Sequence, residues 1–459
     1  MQQTTVFDID LIRRYDKAGP RYTSYPTAVQ FSSKFDETSY RNHAQNSNPT
    51  KPLSLYLHVP FCDTVCFYCA CNKIATKDRG LTIPYLQHLY KEIALQGRLF
   101  SQQRPVTQLH WGGGTPTFLN HDQTEEVMKV MGKHFQLLDD DSGEYSIEID
   151  PRETKPDTIA LLREVGFNRM SLGVQDFTPK VQKAVNRIQS PEQTFAVLEQ
   201  ARNEGFKSVS IDLIYGLPYQ TEMSFIKTLE TIIAVRPNRL SVFNYAHLPT
   251  IFKPQRRINE ADLPSSTEKL AILQNTTNQL LEAGYIYIGM DHFALPDDEL
   301  AIAQRNGTLY RNFQGYSTHA DCDLIGLGIT SISQVSDSYS QNVKTLEEYY
   351  AKITAGQIPV FRGFTLNEDD KLRRAVITKL ICHFTLDISI IEKEYQIDFK
   401  TYFATEIAEL ETMQIDGLLT INEQQINILP AGRLLVRNIC MPFDIYLRQN
   451  TEQRFSKVI

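Results

Sequence analysis

Four of the chain's seven cysteines fall within ten residues, at Cys62, Cys66, Cys69 and Cys71, in the spacing C-x3-C-x2-C-x-C. Thiolates are soft ligands that select iron–sulfur clusters, zinc or copper(I). A structural zinc site normally pairs one knuckle with a second, distant Cys or His pair, and no matching knuckle follows here. Three cysteines on one short loop suit three corners of a [4Fe–4S] cubane and leave the fourth iron open. The spacing favours a cluster, and a zinc site and a redox disulfide loop are the alternatives.

Alternating strand and helix patterns surround this loop. A buried strand, Leu53–Pro60, leads into it. Five further strands are predicted at Val106–Trp111, Tyr145–Ile149, Arg169–Val174, Ser208–Tyr215 and Arg239–Tyr245. Helices are predicted at Ile83–Arg98, Gln123–His134, Pro156–Glu164, Pro191–Glu204, Glu222–Ala234 and Ser266–Ala283. Strands that alternate with helices predict a parallel α/β sheet, which right-handed crossovers curl into an open (β/α)6 partial TIM-type barrel.

Conspicuous polar and glycine residues follow these strands, where parallel sheets bind ligands. Consecutive glycines at 112–114 let a ligand approach the backbone closely, although the same pattern suits a tight turn. Strand alternation places Glu148 on an inward face, where a carboxylate needs a cation or a donor. A salt bridge across the barrel is the alternative for Glu148. Asp212 lies in an otherwise apolar strand, and a structural hydrogen-bond acceptor is the alternative there.

The cysteine spacing, with the aromatic Tyr68 just before the third cysteine, resembles the signature of the radical S-adenosylmethionine (SAM) enzymes. The added Cys71, the Asn72-Lys73 that follows, and segments from Tyr15 to the C-terminus narrow the resemblance further. Within that superfamily the chain is similar to the oxygen-independent coproporphyrinogen III oxidases. The resemblance implies a [4Fe–4S] cluster with SAM on the open iron, and a second SAM beside it. The implied cluster ligands are Cys62, Cys66 and Cys69.

The resemblance also implies the remaining site residues, position by position. The implied cofactor-binding residues are Tyr56, Tyr68, Gly113, Gly114, Thr115, Glu148, Gln175, Arg187, Asp212, Ala246, Gln314 and Ile332. Glu148 is expected to hold the ribose hydroxyls or the sulfonium side of SAM. Cys71 is too close to Cys69 for the same cubane, so it is expected to be a catalytic or structural non-ligand. Tyr56, Glu148 and Cys71 are the predicted catalytic residues.

The function that the resemblance implies is oxidative decarboxylation of two propionate side chains of coproporphyrinogen III to vinyl groups, giving protoporphyrinogen IX. A 5′-deoxyadenosyl radical from SAM starts this reaction, and a one-electron donor such as flavodoxin or ferredoxin and an unnamed acceptor are needed. One alternative is a haem-binding chaperone on the same scaffold; those relatives typically carry an aromatic residue at the Cys71 position and lack the arm at 20–27. The other alternative is a zinc-stapled interaction protein.

Composition sets limits on these functions. The chain has 459 residues, 42% hydrophobic and 22% charged, which is ordinary for a globular protein. A formal net charge of −7 argues against a nucleic-acid binder, and it means that an anionic substrate needs a local basic pocket. No run of about 18 apolar residues predicts a membrane span. The polar N-terminus lacks a signal-peptide pattern, and clustered thiols in a chain without an export signal suggest the reducing cytoplasm. A monomer is expected.

Three regions are predicted along the chain. Residues 1–50, rich in tyrosine and broken by prolines, form an arm over the active site, in which Arg21 is a candidate partner for a substrate carboxylate. Residues 51–362 form the catalytic barrel with its closing loops. Residues 363–459 form a small helical lid with a hairpin at 417–429, and helices followed by a hairpin are typical of a winged-helix domain. The missing basic stripe argues against DNA binding by this domain.

Overall fold

The structure is a computed structural model, and it describes residues 5–319 and 321–449. These residues fall into two compact units. The barrel unit comprises residues 31–265 and 321–365, and the C-terminal unit comprises residues 5–30, 266–319 and 366–449. Each unit is built from segments that are separated in the chain, whereas the predicted regions 1–50, 51–362 and 363–459 are contiguous. Residues 1–4 and 450–459 of those predicted regions lie outside the described residues, and the placement of arm and lid over the site stays a prediction.

The strands of the described residues alternate with helices through most of the barrel unit. They are β1 (Leu53–Val59), β2 (Phe61–Cys62), β3 (Ile74–Ala75), β4 (Pro105–Gly113), β5 (Gln136–Leu137), β6 (Glu144–Ile149), β7 (Arg169–Gln175), β8 (Ser208–Tyr215), β9 (Arg239–Asn244), β10 (Ile286–Gly289), β11 (His292–Ala294), β12 (Tyr310–Asn312), β13 (Gly315–Ser317), β14 (Asp323–Leu327), β15 (Ile332–Val335), β16 (Ser338–Asn342), β17 (Val360–Thr365), β18 (Thr385–Asp387), β19 (Leu419–Ile421) and β20 (Gln425–Ile428).

The helices are mostly short, and several begin with a side-chain cap that satisfies the first free amides. They are α1 (Ile9–Arg14), α2 (Glu37–Gln45), α3 (Thr82–Gly97), α4 (His121–His134), α5 (Pro156–Glu164), α6 (Pro179–Ala184), α7 (Pro191–Asn203), α8 (Glu222–Val235), α9 (Ser266–Glu282), α10 (Glu299–Arg305), α11 (Leu346–Thr354), α12 (Glu368–His383), α13 (Ile388–Tyr395), α14 (Phe399–Tyr402), α15 (Ala404–Ile415), α16 (Val436–Cys440) and α17 (Ile445–Gln449). Among the described residues no helix has both the length and the apolar character needed to cross a membrane.

The predicted parallel sheet is confirmed. Its strands pair in the order β9-β8-β7-β6-β4-β1, each parallel to the next, with α3, α4, α5, α7 and α8 in the crossovers between them. This arrangement is the partial barrel of the prediction. Beyond β1 the sheet continues through the parallel β14 and then the antiparallel β15, β16 and β17, an extension that the sequence analysis did not identify.

The alternation of side chains along β8 shows how the sheet places polar groups inside. Val209, Ile211 and Leu213 are 0% exposed, whereas Asp212 and Ile214, on the other face, are partly exposed. Successive side chains of a strand point to opposite faces, so burial of the three apolar residues fixes the direction of the other two. A slip of one residue would expose the apolar set, and the position of Asp212 on the cavity-facing side is therefore strongly specified.

The C-terminal unit is built from small sheets and short helices. It contains the antiparallel pairs β10–β11 and β12–β13 and a three-stranded sheet in the order β18-β20-β19. The predicted hairpin at 417–429 is present as β19–β20, with β18 as an added strand. The helices α14 and α15 are separated at Phe403, and a short turn at Pro430–Gly432 precedes α16. The winged-helix comparison stays a prediction.

Candidate active site

The cysteine loop leaves the carboxyl end of β1 and closes on itself. Its first cysteine, Cys62, lies in β2, which pairs with β3 so that Cys62 faces Ala75. The amides of Ile74 and Thr76 donate to the carbonyls of Pro60 (2.6 Å) and Cys62 (2.9 Å). The loop between residues 62 and 75 is therefore held at both ends by backbone hydrogen bonds.

The far side of the cysteine loop is bound to the segment that follows α6. The Phe67 amide donates to the Val185 carbonyl (2.9 Å), and Asn186 Nδ2 donates to the Val65 carbonyl (2.8 Å). Asn186 has a left-handed backbone, with φ of 54°, which asparagine tolerates better than most residues. Phe67 and Tyr68 pack against a buried apolar cluster that includes Val185. The loop is thus fixed to the sheet on two sides.

Gln255 adds a third attachment that the sequence did not reveal. It is 1% exposed and lies in a short turn, Lys253–Arg257. Its Nε2 donates to the carbonyls of Tyr68 (3.0 Å) and Ala246 (3.2 Å), and its Oε1 accepts from the Leu248 amide (2.6 Å). One side chain therefore joins the cysteine loop to the loop after β9. A glutamine between charged residues gives no sequence signal of such burial.

A cavity of about 340 Å³ lies between the cysteine loop and the carboxyl ends of β4, β6, β7 and β8. Twelve of the predicted site residues line it, namely Cys62, Cys66, Tyr68, Cys69, Cys71, Gly113, Gly114, Thr115, Glu148, Gln175, Arg187 and Asp212. Four others do not line it: Tyr56 lies on β1 behind it, Ala246 contributes its carbonyl to Gln255, Ile332 lies on β15, and Gln314 belongs to the C-terminal unit. The roles of all these residues stay predictions.

The three predicted cluster ligands suit an iron–sulfur cluster in their chemistry. All seven cysteines are free thiols. The Thr115 hydroxyl lies 3.6 Å from Cys62 Sγ, and the guanidinium groups of Arg152 and Arg187 lie 3.6 and 3.7 Å from Cys66 Sγ. The Thr115 hydroxyl favours the Cys62 thiolate, but burial outweighs it and raises the pKa of Cys62 to about 11.

The three thiols lie on the wall of one cavity. A cubane binds each cysteine on a different iron, so its ligands surround a volume. Three cysteines around one cavity therefore fit the donor set of a [4Fe–4S] cluster.

Cys71 lines the cavity beside Cys69 and interacts with it directly. Its thiol donates a hydrogen bond to Cys69 Sγ, which is the first cause that raises the pKa of Cys71 well above its usual value. The same bond, helped by Lys73, lowers the pKa of Cys69 to about 5. Cys69 is therefore the thiolate of the pair and Cys71 the neutral thiol.

Glu148 is held in the cavity as an ionised group. Its carboxylate accepts from His110 Nε2 (3.3 Å) and from the Gly113 amide (3.2 Å). Burial alone would raise the pKa of Glu148, but these bonds and the nearby histidines hold it below the usual value. A Cβ at Gly112 would lie 2.7 Å from Glu148 Oε1, and one at Gly114 would lie 2.5 Å from the Phe61 carbonyl. The glycine run is thus required by the protein's own packing.

Tyr56 and His58 form a polar pair at the end of β1. His58 Nε2 donates to the Asn72 carbonyl (3.0 Å), and its Nδ1 accepts from the Tyr56 hydroxyl (3.2 Å). Burial lowers the pKa of His58, so the ring is neutral in this arrangement. The Tyr56 ring also stacks on His110 at 5.8 Å between centroids. Tyr56 is therefore fixed by neighbours that connect it to both the cysteine loop and Glu148.

A buried charged cluster connects the cysteine loop to β6 and β7. Asp150 accepts from Arg152 Nη2 (2.6 Å) and Arg187 Nη1 (3.0 Å), which keeps the pKa of Asp150 low although burial opposes this. Arg187 Nη2 also donates to the Gly173 carbonyl. Arg187 Nε and Gln175 Oε1 are buried without a partner among the described residues. Gln175 is held in a left-handed conformation, with φ of 71°, which a residue with a side chain rarely adopts.

Asp212 occupies the β8 side of the cavity. Ser171 Oγ donates to Asp212 Oδ2 (2.7 Å), and burial raises the pKa of Asp212 to about 6. Arg152 and Ser171 line the cavity too, and neither was predicted. Arg152 comes just after the end of β6, in Asp150-Pro151-Arg152, and this position at a strand end was the sequence signal for its place at the cavity.

Comparison with known proteins assigns this geometry to a family. Residues 56–232 match the radical SAM superfamily, and residues 366–435 match the HemN C-terminal domain. The chain is 56% identical, over the full length of both chains, to the oxygen-independent coproporphyrinogen III oxidase of Pseudomonas aeruginosa. It is 51% identical to the Escherichia coli enzyme of that description, over 99% of this chain and 98% of the relative. A solved structure entitled "Coproporphyrinogen III oxidase (HemN) from Escherichia coli is a Radical SAM enzyme" covers 97% of this chain, and this chain covers all of it, at 50% identity and a TM-score of 0.93.

Proposed function

Since the chain belongs to the oxygen-independent coproporphyrinogen III oxidases of the radical SAM superfamily, we propose how its described residues carry out that activity. The protein is a radical SAM oxidoreductase of porphyrin biosynthesis. It decarboxylates two propionate side chains of coproporphyrinogen III oxidatively, without oxygen, and yields protoporphyrinogen IX. The haem-binding chaperone is not favoured, because the full-length relatives are described as oxidases.

Cys62, Cys66 and Cys69 hold the [4Fe–4S] cluster in this proposal. The observation that carries it is that three free thiols line one cavity at the carboxyl ends of a parallel barrel. When bound, the cluster and SAM supply a 5′-deoxyadenosyl radical, since removal of an unactivated hydrogen is beyond side-chain acid–base chemistry. The chain itself contributes the orientation of the ligands and the exclusion of water.

Two SAM molecules are proposed, because two sets of polar side chains face the cavity. On one side, ionised Glu148 would accept from the ribose hydroxyls of SAM or face its sulfonium, next to the backbone of Gly113, Gly114 and Thr115. On the other side, Gln175 and Arg187 present a buried acceptor and donor without described partners, with Asp212 nearby. Unpaired buried polar atoms are costly, which supports a polar ligand beside them. Tyr68, Ala246, Gln314 and Ile332 are the remaining proposed cofactor contacts.

Catalytic roles are proposed for Tyr56, Cys71 and Glu148. Cys71 keeps its proton because Cys69 takes its hydrogen bond, so it is available as a neutral thiol at the cavity wall. Tyr56 is held by His58 and His110, and burial next to Glu148 raises its pKa well above the usual value. Both groups therefore keep their protons at neutral pH; Cys71 presents its thiol at the cavity wall, whereas the Tyr56 hydroxyl donates to His58.

The surroundings of the reaction are proposed on chemical grounds. A one-electron donor such as flavodoxin or ferredoxin reduces the cluster, and a separate acceptor, still unidentified, takes the electron left after loss of carbon dioxide. The chain acts as a monomer. Free, clustered thiols support a reducing compartment, namely the cytoplasm.

The test is an anaerobic assay of cluster-reconstituted protein with SAM, a reductant, an electron acceptor source and coproporphyrinogen III. Mass spectrometry follows both the porphyrin and 5′-deoxyadenosine. Loss of two carboxyl groups with about two deoxyadenosines per product is the expected result. Deoxyadenosine without a change in the porphyrin would remove the substrate from the proposal. Neither product, from protein shown to hold its cluster, would overturn it.

A further inference from the structure

Two buried arginines in the C-terminal unit have no partner for their guanidinium groups. Arg311 lies on β12 and is 7% exposed, and Arg433 lies just before α16 and is 8% exposed. For both side chains, Nε and Nη1 are buried and donate to no hydrogen-bond partner among the described residues. Neither guanidinium forms an ion pair with an acid in residues 5–319 and 321–449. The protein thus buries two cations without a counter-charge that the structure describes.

Other buried arginines of the same unit show that this arrangement is unusual. Arg373, 5% exposed, pairs with Glu406 (2.9 Å) and Asp369 (2.9 Å). Arg437, 4% exposed, donates to the carbonyls of Pro20 (2.9 Å) and Gly19. An unpaired buried charge is strongly unfavourable, and natural proteins pair such groups or use them to bind a ligand. The two exceptions therefore have the chemistry of an anion-binding site.

Aromatic rings hold these guanidinium groups in place and leave their edges available. In the β12–β13 hairpin Arg311 lies opposite Tyr316, and its guanidinium carbon is 4.7 Å from the centre of that ring. The Arg433 guanidinium carbon is 4.9 Å from the centre of the Phe384 ring. A ring face attracts the cation but takes none of the N–H bonds that lie in the guanidinium plane. Both side chains are therefore positioned, with their donors unused.

The charges around Arg311 favour an anionic ligand over a neutral one. Burial and the neighbouring charges of Arg21 and Arg311 lower the pKa of Arg437 to about 10, although Asp291 opposes this. Asp291 is itself paired with Arg21 at 2.6 Å. Arg21, the arginine that the sequence suggested for a substrate carboxylate, is thus already occupied by a chain acid. The excess of positive charge remains at Arg311 and Arg437.

Resting on the proposed function, we infer that Arg311 and Arg433 bind carboxylate groups of the tetrapyrrole substrate. Coproporphyrinogen III carries four propionates, and the planar guanidinium fork matches a carboxylate with two parallel hydrogen bonds. The chain as a whole is negative, at −7, so an anionic substrate depends on such a local basic site. The methionine carboxylate of SAM has the same chemistry, and the test separates the two sources.

The experiment uses the reconstituted holoenzyme and the variants Arg311→Gln, Arg433→Gln, Arg311→Lys and Arg433→Lys. The control is Arg305→Gln, at an exposed position of the same unit whose Nη1 donates to a backbone carbonyl. Coproporphyrin III, an unreactive tetracarboxylate, is titrated by fluorescence in parallel with protoporphyrin IX, which has two carboxylates. SAM binding, the KM for coproporphyrinogen III and the melting temperature are measured on the same samples.

The Gln variants are expected to lose about 10- to 100-fold in affinity for coproporphyrin III, with a matching rise in KM. The Lys variants should retain part of the affinity, since they keep the charge without the fork. The melting temperatures of the Gln variants should equal or exceed that of the wild type, because the substitution removes an unpaired buried charge. Replacing an arginine that stabilises the fold would lower the melting temperature. SAM binding should not change, and Arg305→Gln should behave as wild type.

Equal coproporphyrin III affinity in wild type, Arg311→Gln and Arg433→Gln would overturn the inference. Weakened SAM binding with unchanged porphyrin binding would also overturn it, in favour of the cofactor carboxylate. The titration needs no turnover, so an inactive wild-type enzyme that binds coproporphyrin III through these arginines would refute the proposed reaction and leave this inference standing. If the wild-type enzyme is fully active and the Gln variants bind coproporphyrin III as tightly as it does, the proposed reaction stands and this inference is refuted.

Discussion

Replacement of Gln255 by leucine should loosen the cysteine loop without touching a cluster ligand. Gln255 makes hydrogen bonds with the carbonyls of Tyr68 and Ala246 and with the Leu248 amide, at 2.6 to 3.2 Å. Leucine has nearly the same volume but no polar atom, so all three backbone groups lose this partner. Each buried group left unsatisfied costs about 1–3 kcal/mol. Apolar burial of the leucine and water entering from the cavity offset part of that cost, so we expect a net loss of about 2–4 kcal/mol.

The effect should be concentrated on the loop that holds the proposed ligands. Tyr68 directly precedes Cys69, so loss of the hydrogen bond to its carbonyl lets the backbone at Cys69, the third proposed ligand, move more. The hydrogen bond from Phe67 to Val185 remains. We therefore expect reconstituted Gln255→Leu to retain less iron and sulfide per chain. Hydrogen exchange should rise in the segment 66–71 more than in the strands.

The measurements are urea unfolding of the apoprotein and iron content after anaerobic reconstitution. Gln357→Leu is the matched control, because Gln357 is exposed and its side chain makes no contact that the described structure records. Such a surface change normally alters stability by less than about 0.5 kcal/mol. If Gln255→Leu unfolds at the same urea concentration as the control and retains the same iron, the reasoning about this residue is refuted.

Three further predictions concern the ligands, the sheet and the pH response. Replacing any one of the three proposed cluster ligands by alanine should abolish the brown chromophore, whereas Cys322→Ser, outside the cavity, should retain it, as absorbance would show. Leu213→Ala should cost about 2–5 kcal/mol in urea unfolding but keep the cluster, and Ile188→Ala, at a position 66% exposed, should cost less than about 0.5 kcal/mol. Because the pKa of Asp212 is raised to about 6 from 3.8, the folded chain binds this proton more tightly than the unfolded chain. Wild-type stability should therefore fall relative to Asp212→Asn as pH rises from about 4 to 6, by on the order of 3 kcal/mol, and equal pH profiles would contradict this.

Local patterns predicted the architecture of the barrel unit closely. The predicted strand Ser208–Tyr215 and helix Pro156–Glu164 have the observed bounds, and the other predicted strands of the barrel differ by one or two residues. These elements were readable because apolar residues repeat with the period of a strand or a helix, and turns separate them. The strand β14 was missed, because five residues with an internal glycine carry too little periodicity to distinguish a strand from a loop.

The cysteine spacing and the polar residues at strand ends likewise came from the chain alone. Cys62, Cys66 and Cys69 are close in sequence, so one loop brings them to one cavity whatever the rest of the fold does. Glu148 and Asp212 were readable because strand alternation and the rule of carboxyl ends place them inward. Their identification as SAM contacts depended on the family resemblance, since a lone acid on a strand has a structural explanation as well.

Only the tertiary structure decided which distant residues meet. Gln255 reaches the cysteine loop across 187 residues of chain, and Arg187 meets Asp150 across 37. It also showed that Arg21 is paired with Asp291, whereas Arg311 and Arg433 have no described partner. Sequence determines local periodicity and the chemistry that each side chain carries. Pairing, burial and the pKa shifts that follow from them depend on distances between atoms far apart in the chain, and folding alone sets those distances.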